Sequence, residues 1–158
     1  LGSVFNKKNV LLDIYAKAVT WQSVWGIPQN NFYKARVVRD DFDWGNTTQP
    51  GIPMEDLVIY ELHIRGFTRH FSSGVVNPGT FDGLSERIPY LKELGVNAVE
   101  LMPVFEFDEM KDFRMVDGRP VLNYWGYNTI SFFAPNTSYT AETEFTREGN
   151  ELKRLSRE

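Results

Sequence analysis

Residues 56–67, DLVIYELHIRGF, leave the chain few folds to choose from. The run is apolar and β-rich with little alternation, as in a strand of a parallel sheet covered on both faces. We place that strand at Leu57 to Arg65. NAVELMPV, from Asn97 to Val104, has the same character: β-branched residues followed by Pro103 as a terminator. Between the two, Phe81, Leu84, Ile88, Leu91 and Leu94 recur at spacings of three and four, which is one apolar face of a helix. Thr80 or Asp82 can cap its start and Gly95 its end, while Pro89 predicts a kink or a late start.

Strand, helix and strand within about 45 residues make a βαβ unit, whose crossover is expected to be right-handed. Near the end, EGNELKRLSRE puts Leu152 and Leu155 on one face of a second helix. Two βα repeats predict an α/β fold, either a (β/α)8 barrel or an open doubly wound sheet. A barrel of that kind takes roughly 250 residues, and two strands cannot close one. The expectation is therefore a fragment with unpaired strand edges, poorly stable alone. Residues 1–53 are a separate, uneven region in which YKARVV could be a short strand and RDDFDWGNTTQPGIP is a linker; residues 54–158 carry the βα pattern.

Composition narrows the partners. The chain has 158 residues, a formal net charge of -4 and no cysteine. No basic run is present to bind nucleic acid or an anionic membrane, and no apolar stretch approaches the ~18 residues of a membrane span. Disulfides, thiolate chemistry and His/Cys metal clusters are excluded with two histidines and no cysteine. No cofactor is expected, since no phosphate-binding glycine loop occurs.

The chemistry is expected on loops after the C-terminal ends of strands. The segment from Phe105 to Ser138 reads as one long loop, acidic at its start (Glu106, Asp108, Glu109, Asp112) and aromatic at its end, NYWGYNTISFFAP. Asn123, Tyr124, Trp125 and Tyr127 either offer flat faces to a sugar or plug the core beneath the loop, and spacing leaves both readings open. The acidic group reads as a solvated loop; convergent glycosidase carboxylates, or part of a calcium or magnesium site, are the alternatives. Along the first strand, Glu61, His63 and Arg65 share a face, so Glu100 of the second strand is expected beside His63 or Arg65 as a buried network. Ser72, Ser73 and Ser85 have no triad partners.

MEDLVIYELHIRGFT, PGTFDGLSERIPYLKELGVNAVELMPVFEFDE and NYWGYNTISFFAPNTSY resemble, in order, stretches of the isoamylase and glycogen-debranching branch of the α-amylase superfamily. The likeness runs from about Met54 to Glu158, and NVLLDIYAKAV is similar to the connector after that family's N-terminal β-sandwich, with Ile14 where proline is usual. The resemblance implies the first two βα units of a (β/α)8 barrel, preceded by the end of a β-sandwich carbohydrate-binding module and a linker. It implies retaining hydrolysis of α-1,6 branch points in glycogen or amylopectin-type glucans by the whole enzyme, in bacterial cytoplasm or a plastid. Tyr127 matches the family tyrosine that stacks under the sugar at the cleavage subsite, with Asn123, Tyr124 and Trp125 shaping that pocket. The family's catalytic carboxylates follow later strands, so no catalytic residue and no metal ligand is carried over, and this chain alone is expected to be inactive. A non-catalytic glucan-binding remnant, and pullulan hydrolysis or branching on the same scaffold, are the alternatives.

Overall fold

The computed structural model describes residues 11–20, 24–27, 33–142, 144 and 146–158. Strands β1 (Ile59–Leu62) and β2 (Ala98–Leu101) pair in parallel, Ile59 opposite Ala98 and Leu62 opposite Leu101. Asn97 ties the pair at its start: its side chain accepts from the Val58 amide and donates to the Asp56 carbonyl. Met102 N then bonds the Leu62 carbonyl at the other end.

The first strand is shorter than expected. His63 leaves the pleat and caps helix α1 (Ile64–Thr68), its ring accepting from the Gly66 amide. A side chain that can accept at this position ends a strand as readily as it starts a helix. Arg65 therefore lies on a helix, and the expected network fails: Glu100 is exposed and stands opposite Glu61, whereas His63 turns to other partners. Ile59, Tyr60 and Val99 are also exposed, so the apolar run is not covered on both faces within this chain.

The crossover is two short helices, α2 (Phe81–Ser85) and α3 (Ile88–Glu93). Thr80 caps α2 by accepting from Gly83 N, and Pro89 stands in the first turn of α3, where its missing N–H costs no helical bond. The break thus falls at Glu86 and Arg87, and Gly95 closes α3 at φ +84°. Helix α2 packs on α1 with Gly83 at the contact: a Cβ there would come within 3.2 Å of the Thr68 hydroxyl of α1 and 2.3 Å of the Asn77 carbonyl in the loop between them.

Sequence reasoning also missed strands inside Phe105–Ser138. Strand β3 (Phe105–Phe107) pairs antiparallel with β6 (Thr129–Pro135) through an irregular register, and β4 (Arg114–Val116) and β5 (Arg119–Val121) form a hairpin around Asp117 and Gly118. Both turn residues have positive φ, the Asp-Gly signature of a tight hairpin.

Helix α4 (Asn150–Arg157) packs on α2, with Leu152 and Leu155 against the core and Arg154 forked onto the Asp82 carboxylate of α2. The core gathers Leu62, Ile64, Phe81, Leu84, Leu91, Phe107 and Tyr139, each large side chain adding about 1.5–3 kcal/mol when fully buried. Of the N-terminal region, residues 1–10, 21–23 and 28–32 lie outside the described residues, and with them much of the expected β-sandwich end. What is described includes one antiparallel bridge, Val19 to Ala35, with Val19 buried. Among the described residues no helix is long and apolar enough to cross a membrane.

Glu151, at the start of α4, is fully buried and accepts from the amides of Asp82, Ala141 and Glu142 and from the Thr140 hydroxyl. Replacing it by alanine removes the acceptor from the Asp82 and Ala141 amides and the Thr140 hydroxyl and leaves Glu142 N only its bond to that hydroxyl, so Glu151→Ala should destabilise the protein by about 3 kcal/mol or more. Chemical denaturation measures this, and a loss below about 1 kcal/mol would contradict the bonding described.

Candidate functional site

The site is built at the end of β1. His63 follows the last residue of that strand, and its ring lies flat on Tyr124, centroids 4.1 Å apart and planes 10° from parallel. Nδ1 of His63 accepts from Gly66 N at 3.0 Å, which assigns the proton to Nε2. Nε2 then donates to the Tyr124 carbonyl at 2.8 Å, with the Tyr139 hydroxyl 3.1 Å away. Burial holds the His63 pKa below its ordinary value; the bond to the Tyr124 carbonyl opposes that, and the nearby Arg65 charge adds to it.

The turn that carries Tyr124 is fixed at both ends. Asn123 N donates to the Glu109 carbonyl, and the Asn123 side chain accepts from Gly126 N. Gly126 takes φ +79° directly over Phe107, where a Cβ would come within 2.5 Å of the ring. Only glycine meets both demands. The structure therefore brings Asn123, Tyr124, Trp125 and Tyr127 together on one tight turn, and it separates their roles. Tyr124 is 37% exposed, its ring against His63 and edge-on to Trp25, while Trp125 is 56% and Tyr127 73% exposed. The core beneath the turn is filled by Phe107, Tyr139 and Trp25 instead.

Trp25 and Tyr139 were missed by sequence reasoning. Trp25 comes from the N-terminal region, stacks on Tyr139 at 5.9 Å and 18°, and has the Arg65 guanidinium 4.9 Å above its ring. The adjacent Gly26 N donates to Glu109, which binds that region to the turn.

The acidic residues correct another expectation, for Glu106 and Glu109 are buried rather than solvated. Glu106 accepts from Thr137 N at 2.9 Å, and its other oxygen has no hydrogen-bond partner among the described residues. Burial pushes its carboxyl up to about 8, against the Thr137 bonds and helped by the neighbouring Glu109 and Asp108 charges. Glu109 is likewise raised by burial, the Gly26 amide opposing. Asp108 is half-buried and caps its own turn through Met110 N, and Asp112 is exposed. Among the described residues no group of three or more His, Asp or Glu side chains is arranged to hold a metal ion.

With this geometry in hand, comparison with known proteins is specific. The α-amylase catalytic-domain family matches residues 39–154, and the chain belongs to that family. Within it, the chain is 39% identical to the chloroplastic isoamylase 1 of Arabidopsis thaliana, over 99% of this chain and 22% of that protein. It is 35% identical to the glycogen operon protein GlgX homolog of Haemophilus influenzae, over 89% of this chain and 23% of that one. Among solved structures, type I pullulanase of Bacillus subtilis, crystallised with maltose, superposes with a TM-score of 0.68 and 33% identity, over 91% of this chain and 20% of that one. The chain thus spans about a fifth of the length of the relatives it matches.

Two variants test the site. Folded protein holds a proton on Glu106 that the unfolded chain releases above about 4.5, so this group's contribution is complete at low pH and is lost as pH rises through about 8. The melting temperature of Glu106→Gln relative to the parent should rise steadily between those limits; a difference independent of pH would contradict the buried carboxyl. Gly126→Ala should lower stability by about 2 kcal/mol through strain and the clash with Phe107, measured by denaturant titration, and a neutral result would displace the turn.

Proposed function

We propose that this chain is the substrate-cleft part of a debranching glycoside hydrolase, a longer enzyme that cleaves α-1,6 branch points of glycogen or amylopectin-type glucans by a retaining double displacement. Residues 54–158 form the first two βα units of its barrel, and residues 1–53 the end of a preceding β-sandwich module and its linker. Asn123, Tyr124, Trp125 and Tyr127 contribute a sugar platform, Tyr127 stacking under the ring at the cleavage subsite, and the catalytic carboxylates belong to later strands. The chain by itself is inactive.

The observation that carries this reading is the aromatic turn. It lies beside the C-terminal end of β1, where barrel enzymes work, with Trp125 and Tyr127 exposed while other aromatics fill the core. Exposed apolar residues on β1 and β2 support continuation of the sheet into further strands. The isoamylase and GlgX relatives support the branch-point substrate. A pullulan-cleaving activity on the same scaffold is favoured by the pullulanase neighbours, and comparing rates on pullulan and on glycogen separates the two.

Tyr127→Ala in the full-length protein should reduce kcat/KM on branched glucan by about tenfold or more, with a melting temperature nearly unchanged. A large stability loss with little change in kcat/KM would return Tyr127 to a packing role.

A further inference from the structure

His63 is buried directly behind the exposed turn; one ring nitrogen ties it to α1, and the other, with one face of the ring, holds Tyr124 of the turn. Nδ1 takes the Gly66 amide, Nε2 gives its proton to the Tyr124 carbonyl, and the ring plane fixes the Tyr124 ring. Gly66 leaves room for this arrangement, since a Cβ there would collide with the Tyr124 hydroxyl. Tyr139 closes the far side, its ring edge-on to His63 at 5.6 Å and its hydroxyl beside Nε2. Both the backbone and the ring of Tyr124 are therefore set by one side chain, and Trp125 and Tyr127 follow from Tyr124 through the short turn closed by Asn123 and Gly126.

We propose that His63 is a positioning residue for glucan binding: it does not touch the sugar but, through the Tyr124 carbonyl and ring, aims the Trp125–Tyr127 faces into the cleft. This rests on the reading of that turn as a sugar platform. The device needs a neutral imidazole, because a proton on Nδ1 removes the lone pair that receives Gly66 N. The groups facing the ring are Arg65 from α1, Tyr124 from the turn and Tyr139 from the 3-10 turn Thr137–Tyr139; burial and Arg65 both resist protonation. Acid should then loosen the platform as pH falls below the ordinary histidine range, about 6.5, and not before.

The test uses the full-length protein, with maltotetraose as the binding probe and branched glucan as the substrate. His63→Gln keeps an amide near the place of Nε2, able to donate to the Tyr124 carbonyl; His63→Phe keeps the flat ring and loses both hydrogen bonds. His63→Phe should weaken maltotetraose binding and raise KM by about tenfold with kcat within about twofold, whereas His63→Gln should remain within about threefold of the parent in both. The parent should keep its maltotetraose affinity down to about pH 6.5 and lose it only below that, and His63→Gln should lack that acid-side loss. Unchanged affinity in folded His63→Phe, or an acid-side loss that persists in His63→Gln, overturns the inference. If His63→Phe does not fold, the pH profile of His63→Gln decides alone. Failure of the parent itself to bind maltotetraose overturns the platform reading and this inference with it, whereas parent binding with unmoved variants overturns this inference alone.

Discussion

Tyr139 is where the chain's separate segments are made to agree. It is fully buried, and its ring meets Trp25 from the N-terminal region, Phe81 from α2, Phe107 from β3 and His63 from the end of β1. Its hydroxyl reaches His63 Nε2, and burial pushes the phenol's pKa upward, so it stays protonated throughout the working range. One aromatic side chain thereby couples the parallel strand pair to the antiparallel excursion and to the turn above it. The 3-10 turn that bears Tyr139 is itself pinned: Asn136 N bonds the Val104 carbonyl, Thr137 N bonds Glu106, and the Asn136 side chain caps Ser138. Were that turn free, neither His63 nor Trp25 would have a fixed surface to pack on.

The second organising feature is the use made of acid. An acidic chain of this size is expected to display its carboxylates, yet Glu106, Glu109 and Glu151 are buried and serve as acceptors for backbone amides of irregular segments. Loops that pass through a core cannot satisfy their own N–H groups, and a carboxylate offers two oxygens where a single carbonyl would not suffice. This helps the described residues between β2 and α4 hold a defined arrangement around the site. The cost is a pair of carboxyl groups, Glu106 and Glu109, whose ionisation is resisted by their surroundings.

Much of this was legible beforehand, for reasons specific to particular residues. The Thr80 cap, the Gly95 stop and the spacing of Phe81, Leu84, Ile88 and Leu91 report local rules that the structure follows, whereas Leu94 of the same expected face is exposed; the helix divides at Glu86 and Arg87, with Pro89 in the first turn of its second part. Parallel pairing of the two strands followed from their composition. The failures were those of distant context. His63 looked like a strand residue because the apolar run continues past it, and only the Gly66 amide and Tyr124 reveal the break. Glu106 and Glu109 looked solvated because their partners, Thr137 and Gly26, are far away in sequence. Trp25 gave no signal within its own neighbourhood, and its role appears only once Tyr139 and Phe107 are beside it.

The proposed sugar platform, Trp125 and Tyr127, is exposed on the turn beside the end of β1, over a foundation of buried aromatics and carboxylates. A crystal structure of the full-length protein soaked with maltotetraose tests this most directly. The account predicts a glucose ring in stacking contact with Tyr127, with the His63–Tyr124 stack unaltered beneath it. A sugar bound in the cleft with Tyr127 buried under other parts of the protein, or turned away from it, would contradict the account.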